Sequence, residues 1–331
     1  MALPLIAVIG TGGTISSLGT SSLDVIDYSD FGTRLDVGQV LDRVPEAREV
    51  AHLLPIAFRS VVSTAIGPAE WQELRALIDG LPARHPGLAG VVVLHGTATL
   101  EETAFFLNLT LSVAIPVVLV GAQRPASALG SDGGMNIVAA LRVAASDAVR
   151  GMGVLVVLND EIHPARDVVK MSTTRLQTFR SPDYGALGHV DGDGVHVFRA
   201  PLRRHAPDSE FAGWAGAWPR VDIILSYAGA DGALIAAAVA AGAKGIVSAG
   251  LAPGIPTPAE AVALLAAARS GVVIVQCSRA ASGRVARRRH LTEVGFVPGS
   301  DFSPQKARIL LALALTRTQD VAAIGAIFEA Y

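Results

Sequence analysis

Short runs of aliphatic and β-branched residues recur along the chain, each closed by a small, hydroxyl-bearing or imidazole residue and followed by a longer segment with helical spacing. Leu5–Ile9, Gly90–Leu94, Val117–Val120 and Gly153–Leu158 are such runs in the first part; Val221–Leu225, Gly245–Ser248 and Val272–Gln276 follow later. Their near-continuous apolar character predicts strands buried on both faces, as in a parallel sheet between helices. Helical spacing is predicted over Pro68–Asp79, Thr99–Leu109, Gly134–Asp147, Ala230–Ala241 and Thr257–Ser270. Strand alternating with helix predicts an α/β fold with its chemistry in loops beyond the carboxyl ends of the strands. The segment from Arg199 to Arg220 is rich in Pro, Gly, Arg and Trp, lacks a period, and reads as a connection. The expected domains are therefore 1–200 and 218–331, with a linker at 201–217.

Composition narrows the function. Of 331 residues, 51% are hydrophobic and 17% charged, with a mean hydropathy of +0.46, which excludes a disordered chain. The long uncharged stretch from Thr103 to Gln123 is interrupted by Asn108, Thr110, Ser112 and Pro116, so no membrane span is expected. Basic and acidic residues nearly balance, 27 against 29, for a net charge of −2. That gives no electrostatic basis for a nucleic-acid or membrane partner. Cys277 is the only cysteine and cannot form an internal disulfide. With an opening MALPLIAVIG that lacks a basic segment, this predicts a cytoplasmic location.

Three segments carry candidate chemistry. The first strand runs into Gly10-Thr11-Gly12-Gly13-Thr14-Ile15-Ser16, where glycines allow a sharp turn and close approach to a ligand. Ile15 occupies the third-glycine place of a dinucleotide fingerprint and no Gly-Lys-Ser/Thr follows, so a nucleotide-binding reading is disfavoured. The polar stretch from Ser16 to Asp30 reads as a mobile loop holding Tyr28. The second segment, His95-Gly96-Thr97-Ala98-Thr99-Leu100-Glu101-Glu102, places Thr97 in a strand-to-helix turn. Thr99 and Glu102 are expected to form a capping box. His95 is either a ligand or acid, or a buried, hydrogen-bonded histidine. In the third segment, Arg166-Asp167-Val168-Val169-Lys170, burial would lower the lysine's pKa and make it a base for a threonine hydroxyl. A surface lysine is the plainer alternative.

TGGTIS at 11–16, HGTATLEET at 95–103, GAQRP and SDGGMN within 121–136, RDVVK at 166–170 and SPQKARILLALALT at 303–316 resemble, in order, the bacterial-type L-asparaginases. The resemblance implies a larger N-terminal flavodoxin-like parallel-sheet domain, a smaller C-terminal α/β domain, and homotetramers with shared sites. It implies hydrolysis of a small-molecule amide to acid and ammonia without metal or organic cofactor. Thr14 matches the nucleophile, Tyr28 the lid tyrosine, and Thr97 and Lys170 the activating pair. Ser63 matches the residue that holds a substrate carboxylate; Gly96 and Ala122 would line the pocket.

The departures bear on substrate. Where the family reads HGTDT, this chain has Ala98, and a methyl neither pairs with a lysine nor receives an ammonium. Thr64 stands where the family has a glutamine, Pro253 falls near a family asparagine, and Arg284 to Arg289 falls near a family glutamate. Ala98 is either a disabling substitution or a divergence toward another substrate. The expected function is hydrolysis of L-asparagine or a related carboxylate-bearing amide, impaired as written. The alternatives are hydrolysis of a non-amino-acid amide, lactam or imide, and ligand binding without catalysis.

Overall fold

The computed structural model describes residues 2–331 as two compact units, one ending at Trp214 and the other running from Ala215 to Tyr331. Five parallel strands form the first unit's sheet: β1 (Leu5–Gly12), β2 (His52–Val61), β3 (Leu88–Leu94), β4 (Val117–Val120) and β5 (Val154–Leu158). Three short antiparallel strands, β6 (Glu161–Pro164), β7 (Gly188–Asp191) and β8 (Gly194–Val197), continue it. The order is β8-β7-β6-β5-β4-β3-β1-β2. Because β1 has β2 on one side and β3 on the other, the connections leave in opposite senses there. In sheets of this kind the switch point, here outside the carboxyl ends of β1 and β3, is where a binding site is expected.

Helices α1 (Val37–Asp42), α2 (Pro68–Asp79), α3 (Leu100–Thr110) and α4 (Gly133–Ala144) cover the sheet. Ile6, Val8, Val92, Leu94, Val118 and Val120 join one apolar cluster with Val40 and Leu41 of α1 and Ile137 and Leu141 of α4. The alternate positions Ala7, Ile9, Val91, Val93 and Leu119 are also fully buried, which is why the strands lack a polar face. Between α2 and α3, Trp71 stacks on Phe106 at 5.4 Å and donates its indole N–H to Thr103 Oγ1. The uncharged stretch from Thr103 is thus a buried helix followed by β4. Among the described residues no helix is long and apolar enough to cross a membrane.

The second unit has a parallel sheet of β9 (Val221–Leu225), β10 (Gly245–Gly250), β11 (Val273–Ser278) and β12 (Val297–Pro298), in that order. Its longer helices are α5 (Ala233–Ala240), α6 (Pro258–Arg269), α7 (Pro304–Leu315) and α8 (Val321–Ala330). SPQKARILLALALT proves to be α7, entered through a Ser303 cap.

Sequence patterning finds the central strands to within a few residues and overlooks β2. That strand lies at the sheet edge, is half-exposed, and carries Pro55, which an edge tolerates because one side needs no hydrogen bonds. The loop containing Tyr28 includes a helical turn at Tyr28–Phe31.

Candidate active site

Two glycines bring the first two motifs together. Gly12 and Gly13 have φ of +94° and +84°, the left-handed region that side-chain-bearing residues avoid. A Cβ on Gly13 would lie 2.2 Å from Gly96 Cα, so the turn after β1 and the turn after β3 touch backbone to backbone. Thr11 Oγ1 fastens the same junction by donating to Leu94 O at 3.0 Å. A Cβ on Gly96 would in turn meet Ser63 Cβ at 2.6 Å. Residues from three connections therefore converge at the switch point: Thr14 after β1, Ser63 after β2, and Gly96 and Thr97 after β3.

Each candidate hydroxyl has a partner able to handle its proton. Thr14 Oγ1 lies 2.8 Å from Tyr28 Oη, both half-buried. Thr97 Oγ1, buried, accepts a hydrogen bond from Lys170 Nζ at 2.7 Å. Burial pushes the Lys170 amine below its ordinary value, while the Glu101 carboxylate pulls it up.

Thr99 departs from expectation. Its side chain makes no capping bond to α3; Thr99 Oγ1 instead donates to Ser63 O at 2.7 Å. Ser63 Oγ accepts the Ala98 N–H at 3.3 Å. The expected Thr99–Glu102 capping box is thus replaced by a brace between the loops after β2 and β3. Docking Ser63 there satisfies its carbonyl as well as the Thr99 hydroxyl, a demand local sequence does not express.

The remaining positions fall as follows. Ala98 and Thr64 are exposed, Gly96 is buried, and Ala122 is fully buried. The turn bearing Ala122 is held by Asp132, whose carboxylate accepts the N–H groups of Gln123 and Arg124, each at 2.9 Å. Asn136 donates to Gly121 O and accepts from Asn159 N, tying that turn to the end of β5. His95 is fully buried; Nδ1 lies 2.8 Å from Gly96 O, Nε2 has no partner, and burial lowers the ring pKa to about 4. It is a neutral, structural histidine. In the second unit, Arg287 pairs with Glu329 at 2.7 Å and Arg289 with Glu293 at 2.8 Å. Part of the Arg284 to Arg289 run is therefore neutralised within its own unit.

Asp132, Asn136 and Glu101 escaped the sequence reading. One signal was available for the basic site: only three of the 27 basic residues are lysines, Lys170, Lys244 and Lys306. A chain that writes cations as arginine yet keeps lysine at a half-buried position keeps the one that can lose its proton.

Comparison with known proteins identifies the family of the two units. Residues 5–203 match the family model for the asparaginase N-terminal domain, and residues 220–328 match that for the glutaminase/asparaginase C-terminal domain. The chain is 38% identical over 330 residues to a probable periplasmic L-asparaginase of Haemophilus influenzae, covering 99% of this chain and 93% of that one. It is 36% identical to L-asparaginase 2 of Escherichia coli, covering 100% and 94%, and 36% identical to a glutaminase-asparaginase of Pseudomonas fluorescens, covering 98% and 90%. The crystal structure of a probable cytoplasmic L-asparaginase from Campylobacter jejuni superposes with a TM-score of 0.94 at 35% identity, covering 99% and 100%. From its two matched domains, its full-length relatives and its fold, the chain belongs to the asparaginase family.

Proposed function

We propose that the chain hydrolyses the side-chain amide of L-asparagine or a closely related carboxylate-bearing amide. Thr14 Oγ1 attacks the amide carbonyl and passes its proton to Tyr28 Oη as Tyr28 gives its own to the departing nitrogen; the C–N bond breaks to release ammonia, and water then cleaves the acyl-threonine ester, returning a proton to Thr14. Thr97 and Lys170 relay the proton that the attacking water gives up. Ser63, Thr64, Gly96, Ala98 and Ala122 surround the substrate, with Ser63 taking its carboxylate. The observation that carries this reading is the pair of hydrogen bonds, Thr14 to Tyr28 and Lys170 to Thr97, on turns that meet at Gly13 and Gly96.

Ammonia release from L-asparagine, L-glutamine and succinamic acid, the des-amino counterpart of asparagine, tests it. Release from at least one, lost in Thr14→Val, is the expected outcome. No release from any of them, or a Thr14→Val enzyme as fast as the parent, would overturn it. The exposed Ala98 methyl favours a second reading within the same chemistry, a substrate without an α-ammonium. Succinamic acid turned over faster than L-asparagine supports that reading; a large, selective gain on L-asparagine in Ala98→Asp rules it out.

A cytoplasmic location and a homotetramer with shared sites complete the proposal. The lone cysteine supports the first. Leu225, Leu234 and Val262, all more than half exposed on the second unit, support self-association and are checked by sedimentation velocity.

A further inference from the structure

We propose that Glu101 is the positioning residue for Lys170, supplying the carboxylate that ties its backbone to the Thr97 turn. This rests on the reading above, in which the Lys170 amine serves Thr97.

Glu101 sits in the first turn of α3, four residues after Thr97, and is only 6% exposed. A carboxylate is costly to bury unless something compensates it. Here Glu101 Oε2 accepts the backbone N–H of Lys170 at 2.5 Å, across 69 positions of sequence. The Lys170 side chain then returns to Thr97 Oγ1 at 2.7 Å. The result is a closed circuit: Thr97, the start of α3, the Glu101 carboxylate, the Lys170 backbone, the Lys170 amine and Thr97 again. One side chain thus sets the distance between a turn after β3 and a strand residue far along the chain.

The surrounding charges leave Glu101 as the group acting on the amine. The Val169–Lys170 strand pairs with Phe179–Arg180, where Phe179 stands opposite Lys170 and Arg180 is committed to Glu161 at 3.1 Å. Arg166 pairs with Asp167 at 2.9 Å. Ser63 and Thr97 are neutral, Glu102 is the next residue along α3, and Ala98 offers a methyl. Burial alone would drive the amine toward its neutral form; the Glu101 carboxylate opposes that. Its two contributions, a hydrogen-bond acceptor and a charge, can be separated because glutamine keeps the first and loses the second.

With only three lysines in the chain, lysine-selective 13C labelling gives a spectrum in which Lys170 is assigned by its loss in Lys170→Met. The Lys170 titration midpoint is expected to fall by about one pH unit in Glu101→Gln. In Glu101→Asp, which keeps the charge, it should stay nearer the parent value. An unmoved midpoint in Glu101→Gln, or an equal fall in both variants, overturns the proposal. The ascending limb of kcat/KM against pH reports separately on catalysis. If it falls with the midpoint, both readings stand. If the midpoint falls and the limb does not, Glu101 keeps its assignment and Lys170 loses its role as base.

Discussion

At the carboxyl end of the first sheet, Thr14 follows β1 and Thr97 follows β3, and their hydroxyls meet a phenol and an amine. At the carboxyl end of the second sheet, Ser226 follows β9 in an equally polar setting. There Ser226 Oγ donates to Glu260 Oε2 at 2.7 Å, the same oxygen accepts Thr257 N–H at 2.9 Å, and Arg279 donates to Ser226 O at 3.1 Å. Glu260 is 2% exposed and completes the capping box of α6. Both ends carry hydroxyls, carboxylates and cations in glycine-rich turns. The partners differ: Ser226 is locked to an acceptor-only carboxylate inside a helix cap, whereas Thr14 and Thr97 face groups that can exchange protons. Residue type at a strand end does not distinguish the two; the protonation chemistry of the partner does.

The sharpest break of this contrast is removal of the partner chemistry at the first end. Thr14→Val and Lys170→Arg should each lower ammonia release by about 10³-fold or more, because arginine keeps the cation but cannot give up its proton. Near-parent activity in Lys170→Arg would mean that charge alone matters there.

A backbone test comes next. Gly13→Ala places a methyl 2.2 Å from Gly96 Cα at a φ of +84°, so the two turns must separate. Activity and thermal midpoint should both drop, by more than in Gly87→Ala, where φ is also positive but nothing lies within 4 Å.

His95 supplies a pH-dependent difference. Neutral when folded, with its pKa lowered to about 4, it takes up a proton on unfolding below its ordinary 6.5. Its contribution is therefore complete above pH 6.5 and is lost as pH falls toward 4. Measured by denaturant titration, the parent should lose roughly 3 kcal/mol relative to His95→Asn over that interval. Parallel curves would contradict the assignment.

In the second unit, Ser226→Ala leaves the cap in place and removes one donor to a buried carboxylate. It should cost about 1–3 kcal/mol in stability. The smallest expected effect is at Cys277, buried on β11 of the same sheet, where burial pushes the thiol up to about 12. Thiol reagents at pH 8 should label it only at the rate of unfolding; prompt labelling would show that this end opens.

Much of the first sheet was legible because its central strands are apolar on both faces, a pattern that hardly depends on distant residues. The Thr14, Thr97 and Lys170 motifs stood out by residue type and order. The edge strand β2 and the Ser63–Thr99 brace did not, since exposure at a sheet edge and a hydrogen bond across 36 positions have no local signature. Glu101 was hidden for a related reason: a glutamate in a first helical turn already has a routine explanation in the helix dipole. Only the fold reveals that its carboxylate points at Lys170.

The most direct measurement is rapid-quench mass spectrometry of the chain turning over its best amide substrate. A transient acyl mass increase should appear on the peptide containing Thr14 and be absent in Thr14→Val. Turnover with the acyl group on Thr97 instead, or with no covalent adduct and full activity in Thr14→Val, would contradict the assignment of Thr14 as the attacking hydroxyl.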